Sequence, residues 1–338
     1  MYYKKNIDSN NNSSKNLLKT FGTIINKNKQ THRRINEIKI GESIINEPKK
    51  IAESFNKFFS EIGIKLANKF QNNNTNEYKK YLENPAEQSL LLYRISFSEI
   101  EQAISNLKSS NSSSHDEITS KFVKISSPLL IPALEKVFNL SITSGIYPSN
   151  LKVSKVIPIH KKGDSKSINN YRLISILSTI NKIFEKVLHT RLTKYIEDFN
   201  LLYKYQFGFR KNHSTEHALV EIVDQIRFSI DNSQITCGIF IDLSKAFDTV
   251  DHDILLGKLE HYGIRGNALN LFKSYLSNRK QYTVIENNKS QICNIECGVP
   301  QGSVLGPLFF LHTECFCCQT AVEHLHQPLQ ASPGRAHQ

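Results

Sequence analysis

At 338 residues the chain is long enough for one large domain or two, and its 39% apolar content allows a core without a wide margin. A formal net charge of +12 favours a polyanionic partner. No run of 18 apolar residues occurs and residues 1–12 lack an apolar stretch, which argues against a membrane span and a secretory signal and places the chain inside the cell, in nucleus or cytoplasm.

Residues 1–48 are rich in Asn, Lys and Ser, and composition predicts disorder over roughly the first fifteen. A helix is predicted over 49–70, where Ile51, Phe55, Phe58, Phe59, Ile62 and Leu66 share a face. Asn72, Asn73 and Asn74 then open a linker. Helical patterns follow at 98–107 and, beyond a Ser-rich loop at 109–114, at 128–144, closed by Gly145 and Pro148. Residues 153–159 read as a strand that turns at Lys161, Lys162, Gly163 and Asp164. The clearest helix is 178–199, with an apolar stripe from Ile180 to Ile196, and another spans 214–230 with Ser214 as its cap. A buried-type strand is predicted over 235–243, a helix capped by Asp251 reaches Tyr262, and 266–277 is helical. Strands at 281–285 and 292–297 are joined by the polar turn Asn287, Asn288, Lys289. Helices first, then strands mixed with helices, point to the α+β class.

The positive charge is clustered, because residues 145–215 hold thirteen Lys and Arg against four acidic residues, a net +9. That clustering favours nucleic acid over a merely solvated basic face. Downstream, the apolar run Ile239-Phe240-Ile241 delivers Asp242 at its exit. Such an acid either caps the next turn or is neutralised by a cation; Mg²⁺ suits it, taking hard oxygen ligands and keeping positions open for phosphate. Asp248, Asp251 and Asp253 fit helix caps or solvated acids, and Phe247 by itself fits a core aromatic.

Phe240-Ile241-Asp242-Leu243 through Ala246-Phe247-Asp248 resembles the first catalytic motif of reverse transcriptases from jockey-like, non-long-terminal-repeat retrotransposons. Gly298-Val299-Pro300-Gln301-Gly302-Ser303-Val304-Leu305-Gly306-Pro307-Leu308 is similar to the family's next motif, with Gln301 59 residues beyond Asp242. Residues 156–164 with Asn170, Tyr171 and Arg172 resemble its finger hairpin, Gln206-Phe207-Gly208-Phe209-Arg210 its template-contacting motif, and residues 51–59 the connector before the polymerase. Where the family usually carries Pro after the arginine, this chain has Leu173.

The resemblance spans roughly residues 36–311 and implies a right-hand polymerase fold. Its parts would be an extended segment 1–48, a helical connector 49–144, fingers 145–234 and a partial palm 235–311, with the thumb absent. It implies an RNA-directed DNA polymerase, a nucleotidyltransferase working on an RNA template, a DNA primer and deoxynucleoside triphosphates, with Mg²⁺ at Asp242. Lys161, Lys162 and Arg172 would meet the triphosphate. Phe247 would crowd a ribose 2′-hydroxyl, Gln301 and Gly302 would lie against the nucleotide, and Arg210 and Lys211 would touch the template.

Phosphoryl transfer by paired ions needs more than one carboxylate. The family supplies the others on an aromatic-Ala-Asp-Asp hairpin, and no such sequence follows Leu311. Residues 312–338 contain no Asp, Ile, Lys or Asn, which predicts an unrelated, disordered tail and an inactive polymerase fragment. A nucleic-acid-binding remnant and a decayed gene product are the alternatives. Cys315, Cys317, Cys318, His324 and His326 lack the Cys-x₂₋₄-Cys spacing of zinc sites and read as solvated. The sequence leaves the oligomeric state open.

Overall fold

Each long amphipathic pattern folds as a helix in the computed structural model, which describes residues 35–67, 77–82, 84–243 and 245–311. The disorder expected at the N-terminus, the 72–74 linker, Ser244 of the Asp242 motif and the tail with its Cys and His residues lie outside that range.

Helix α1 (Pro48–Ala67) buries Ile51 and Phe55 completely. Helix α2 (Phe97–Ser105) opens with a capping box in which Ser96 and Glu99 satisfy each other's backbone N–H groups. A short helix α3 (Ser120–Ile125) precedes α4 (Ser127–Ser144), which Gly145 closes in the left-handed conformation. Ser178 caps α5 (Thr179–Asp198), Ser214 caps α6 (Thr215–Asp231) and Asp251 caps α7 (His252–His261). Helix α8 (Gly266–Leu276) joins α2, α3, α4, α5 and α7 in the helical core, and a helical turn at 306–311 packs on it through Phe309.

Within that core Phe184 stacks on Phe138 at 4.3 Å and on Tyr147 at 5.0 Å. Arg191 of α5 is buried and grips Glu99 of α2 through two parallel hydrogen bonds, 2.8 and 2.9 Å. It also donates to the carbonyls of Tyr93 and Arg94, so its charged donors are met where water is excluded.

Two sheets accompany the helices. A hairpin pairs β1 (Ile38–Ile40) with β2 (Ser43–Ile45). The larger sheet runs β4 (Tyr171–Ile176), β3 (Val153–His160), β5 (Arg279–Ile285), with β6 (Asn288–Lys289) and β7 (Cys293–Ile295) both pairing β5. β3 and β4 are antiparallel, whereas β3 and β5 are parallel and need the long crossover that α5 to α8 provide. Helix α1 lies on this sheet: Phe55 meets Tyr171 edge-on at 4.9 Å, and Asn56 donates to the Gln291 carbonyl at 2.8 Å. Leu173 takes an ordinary buried place in β4 opposite Pro158.

One expected element is overturned. Residues 235–243 form no strand and are exposed, with Phe240 91% accessible. A strand persists only where neighbours satisfy its N–H and C=O groups, and no described strand lies beside this one. The α6 helix that leads into it also buries none of its side chains. Among the described residues no helix is long and apolar enough to cross a membrane.

Candidate functional site

The β3–β4 hairpin carries the basic residues singled out upstream. Arg172 sits opposite Ile159 with its side chain exposed, and the loop from Lys161 to Asn170 begins with Lys161 N–H donating to the Asn170 carbonyl at 2.8 Å. Lys161 and Lys162 are both exposed. Gly163 turns the loop in the left-handed region, and Asp164 accepts from the Lys166 amide at 2.9 Å.

Three stretches far apart in sequence meet at one place. The loop after Asp242 binds the glycine-rich loop through two backbone hydrogen bonds of 2.8 Å, Gly298 N–H to the Val250 carbonyl and Val299 N–H to the Phe247 carbonyl. Gly298 has φ +83°, and a Cβ there would lie 2.8 Å from the carbonyl oxygens of both Phe247 and Asp248, so only glycine permits the approach. The β4 strand joins from the other side, with Ser175 N–H donating to the Gln301 carbonyl at 2.8 Å. At Gly302 (φ +123°) a Cβ would come 2.6 Å from the Ser175 oxygen. The strand of Arg172, the loop of Phe247 and the Gln301–Gly302 turn are therefore fixed to one another.

Phe247 is half-buried. It stacks on Phe310 at 4.7 Å and meets Phe209 edge-on at 6.2 Å, which brings the 206–210 motif to the same place. Arg210 is tied back to the Tyr203 carbonyl at 3.4 Å, and Lys211 is exposed. Burial pushes the Asp248 carboxyl up to about 6, against the opposing pull of Lys245 and Lys161. Burial in turn lowers Lys245, whose ammonium lies 4.5 Å from the Phe58 ring centre on α1.

Sequence reasoning missed Glu185. Fully buried on α5, it accepts from Asn181 Nδ2 and Tyr275 O–H at 2.8 Å and from the Val304 amide at 2.6 Å, holding the glycine-rich loop on the helical core. An acid inside an apolar stripe was the available signal.

Asp242 is exposed on the segment that forms no strand. Among the described residues no group of three or more His, Cys, Asp or Glu is placed to hold a metal ion. One exposed carboxylate does not fit a pair of Mg²⁺ ions, which need clamping oxygens on both.

Residues 159–327, half of the chain, match the family reverse transcriptase (RNA-dependent DNA polymerase). The chain is 32% identical over 273 residues to the probable RNA-directed DNA polymerase from transposon BS of Drosophila melanogaster, covering 78% of this chain and 29% of that protein. It is 30% identical over 235 residues to the RNA-directed DNA polymerase from mobile element jockey of the same species, covering 69% and 26%. The chain belongs to the reverse transcriptase family. Its kind within that family is the jockey-like, non-long-terminal-repeat retrotransposon enzyme. It spans less than a third of the length of the curated relatives it matches.

Proposed function

We propose that this chain forms the fingers (145–234) and the first part of the palm (235–311) of a right-hand polymerase, preceded by a helical connector (49–144). In that reading it gathers an RNA template, a DNA primer and deoxynucleoside triphosphates for RNA-directed DNA synthesis. The observation that carries it is the mutual docking of the Arg172 strand, the Phe247 loop and the Gln301–Gly302 turn. This docking supports a nucleotide pocket with cations on one side and an aromatic wall on the other.

Lys161, Lys162 and Arg172 would neutralise the triphosphate and raise its local concentration by long-range attraction. Phe247, held between Phe310 and Phe209, is stiff enough to exclude a ribose 2′-hydroxyl. Gln301 and Gly302 would flank the nucleotide, and Arg210 and Lys211 would meet template phosphates. Asp242 would be the metal-binding carboxylate of the palm. Since it does not make a paired-ion site by itself, the chain alone is proposed to bind without extending a primer.

Two measurements test the reading. Affinity for a primed RNA template should fall about tenfold or more between 50 and 200 mM salt, as several phosphate contacts require. A flat salt dependence overturns the nucleic-acid reading. Incorporation of labelled deoxynucleotide should be absent; incorporation that Asp242→Asn abolishes would show that the chain does assemble a working site.

A further inference from the structure

A small cleft opens between α1 and the sheet, lined in part by Ser154, Ser175, Asp248, Arg279 and Gln281. Its floor is unusual for the buried face of a sheet. Arg279 and Gln281 occupy alternate positions of β5 and so point the same way, and Gln281 stands beside Ser154 of β3 in the parallel ladder. Ser175 of β4 pairs with Val156, the next residue of β3 on that face. A row of polar side chains thus runs across three strands beneath a helix.

Among the described residues, two donors in that row have no acceptor. Arg279 is 2% exposed; its Nη1 donates to the Tyr275 carbonyl at 3.0 Å and its guanidinium lies 4.6 Å from the Tyr275 ring centre, yet its Nη2 is buried and unpartnered. Gln281 is 5% exposed, and its Nε2 is likewise buried without a partner. Among the described residues no carboxylate forms an ion pair with Arg279. A buried cation without a counter-charge is unfavourable, and buried N–H donors nearly always find an acceptor. Asp248 lines the same cleft, but the cations that act on it are Lys245 and Lys161.

We propose that this cleft is a binding site for a small tetrahedral oxyanion of the phosphate class, held by Arg279 and Gln281 with the serine hydroxyls of β3 and β4 completing the cradle. A guanidinium beside an amide and hydroxyls presents several donors to several oxygens at once, which a single chloride or a carboxamide cannot use as fully. The phosphate is either free in solution or the phosphate group of a nucleotide or nucleic acid, and the cleft adjoins the Phe247 and Gln301 loops proposed to meet the nucleotide, since Ser175, Asp248, Gly298 and Val299 line it.

The test is titration of the full chain with inorganic phosphate at constant ionic strength, with chloride as the balancing anion, read by calorimetry and thermal melting. Saturable binding with a rise in Tm is expected. Gln281→Met keeps the volume and removes the donor, and should weaken phosphate binding about tenfold; Arg279→Lys keeps the charge without the fork and should weaken it also. Competition by a deoxynucleoside triphosphate or a short single-stranded oligonucleotide at equal phosphate concentration assigns the site to a bound phosphate group, and lack of competition assigns it to the free ion. No saturable effect of phosphate beyond chloride, or full binding by a folded Gln281→Met protein, overturns the proposal. Neither readout involves primer extension, so the result stands apart from that of the polymerase reading.

Discussion

Asp248 shows how burial and charge compete at a single residue. Its carboxyl titrates at about 6 instead of near 3.8, because lost hydration outweighs the attraction of Lys245 and Lys161. The sign for stability follows from proton counting. Between pH 3.8 and about 6 the folded chain keeps a proton that the unfolded chain has released, so stability falls as pH rises through that window. Above the window the full cost of a buried carboxylate is present, and below it there is none. Asp248→Asn removes the charge at nearly constant shape. It should stabilise the protein by about 1–3 kcal/mol at pH 8 and leave it unchanged near pH 3.5. Urea midpoints of both proteins at the two pH values decide the matter, and equal midpoints at pH 8 would mean that the carboxylate is solvated after all.

At the level of elements, the two loops of the candidate site are joined by backbone hydrogen bonds, which His252 Nε2 and Cys297 Sγ reinforce by donating to the Gly298 and Val250 carbonyls at 2.8 and 3.3 Å. Gly298→Ala places a methyl against two carbonyl oxygens and also strains a positive φ. Gly266 has a positive φ as well, but nothing lies within 4 Å of a Cβ there. Gly298→Ala should therefore cost about 1–3 kcal/mol more than Gly266→Ala in denaturant unfolding. Equal costs would show that the loops separate easily. The same contrast explains what the sequence disclosed. Helices α1, α5 and α6 were legible because helical periodicity is local, and the site loops because glycines and aromatics at fixed spacing have few other uses. Helix α3 spans six residues, too few for a period to emerge. The run at 235–243 has the composition of a strand, but its ladder partner is a non-local property that composition does not carry. The approach of Phe209 to Phe247, and of Gly63 to the Asp248 carbonyl, is tertiary and leaves no local trace.

Across the whole molecule the uneven feature is the apolar surface of α6 and of the segment after it. Leu219, Val223 and Phe228 on the helix, and Ile239, Phe240 and Ile241 beyond it, are all exposed, although residues of these types usually fill cores. An exposed apolar run with unpaired backbone groups is a template for pairing with other chains, and the net charge of +12 opposes that association only until salt screens it. Light scattering should therefore rise with protein concentration, and more steeply in high salt than in low. Changing Ile239, Phe240 and Ile241 together to Thr, Ser and Thr should suppress the scattering and the binding of an apolar dye. Since those side chains contribute little to the fold where they stand, stability should shift by no more than about 0.5 kcal/mol. A loss of several kcal/mol in the triple variant would instead mean that the segment packs against the body of the protein in solution. Asp242, which the segment carries, would then be far better fixed than an exposed, unpaired segment can make it.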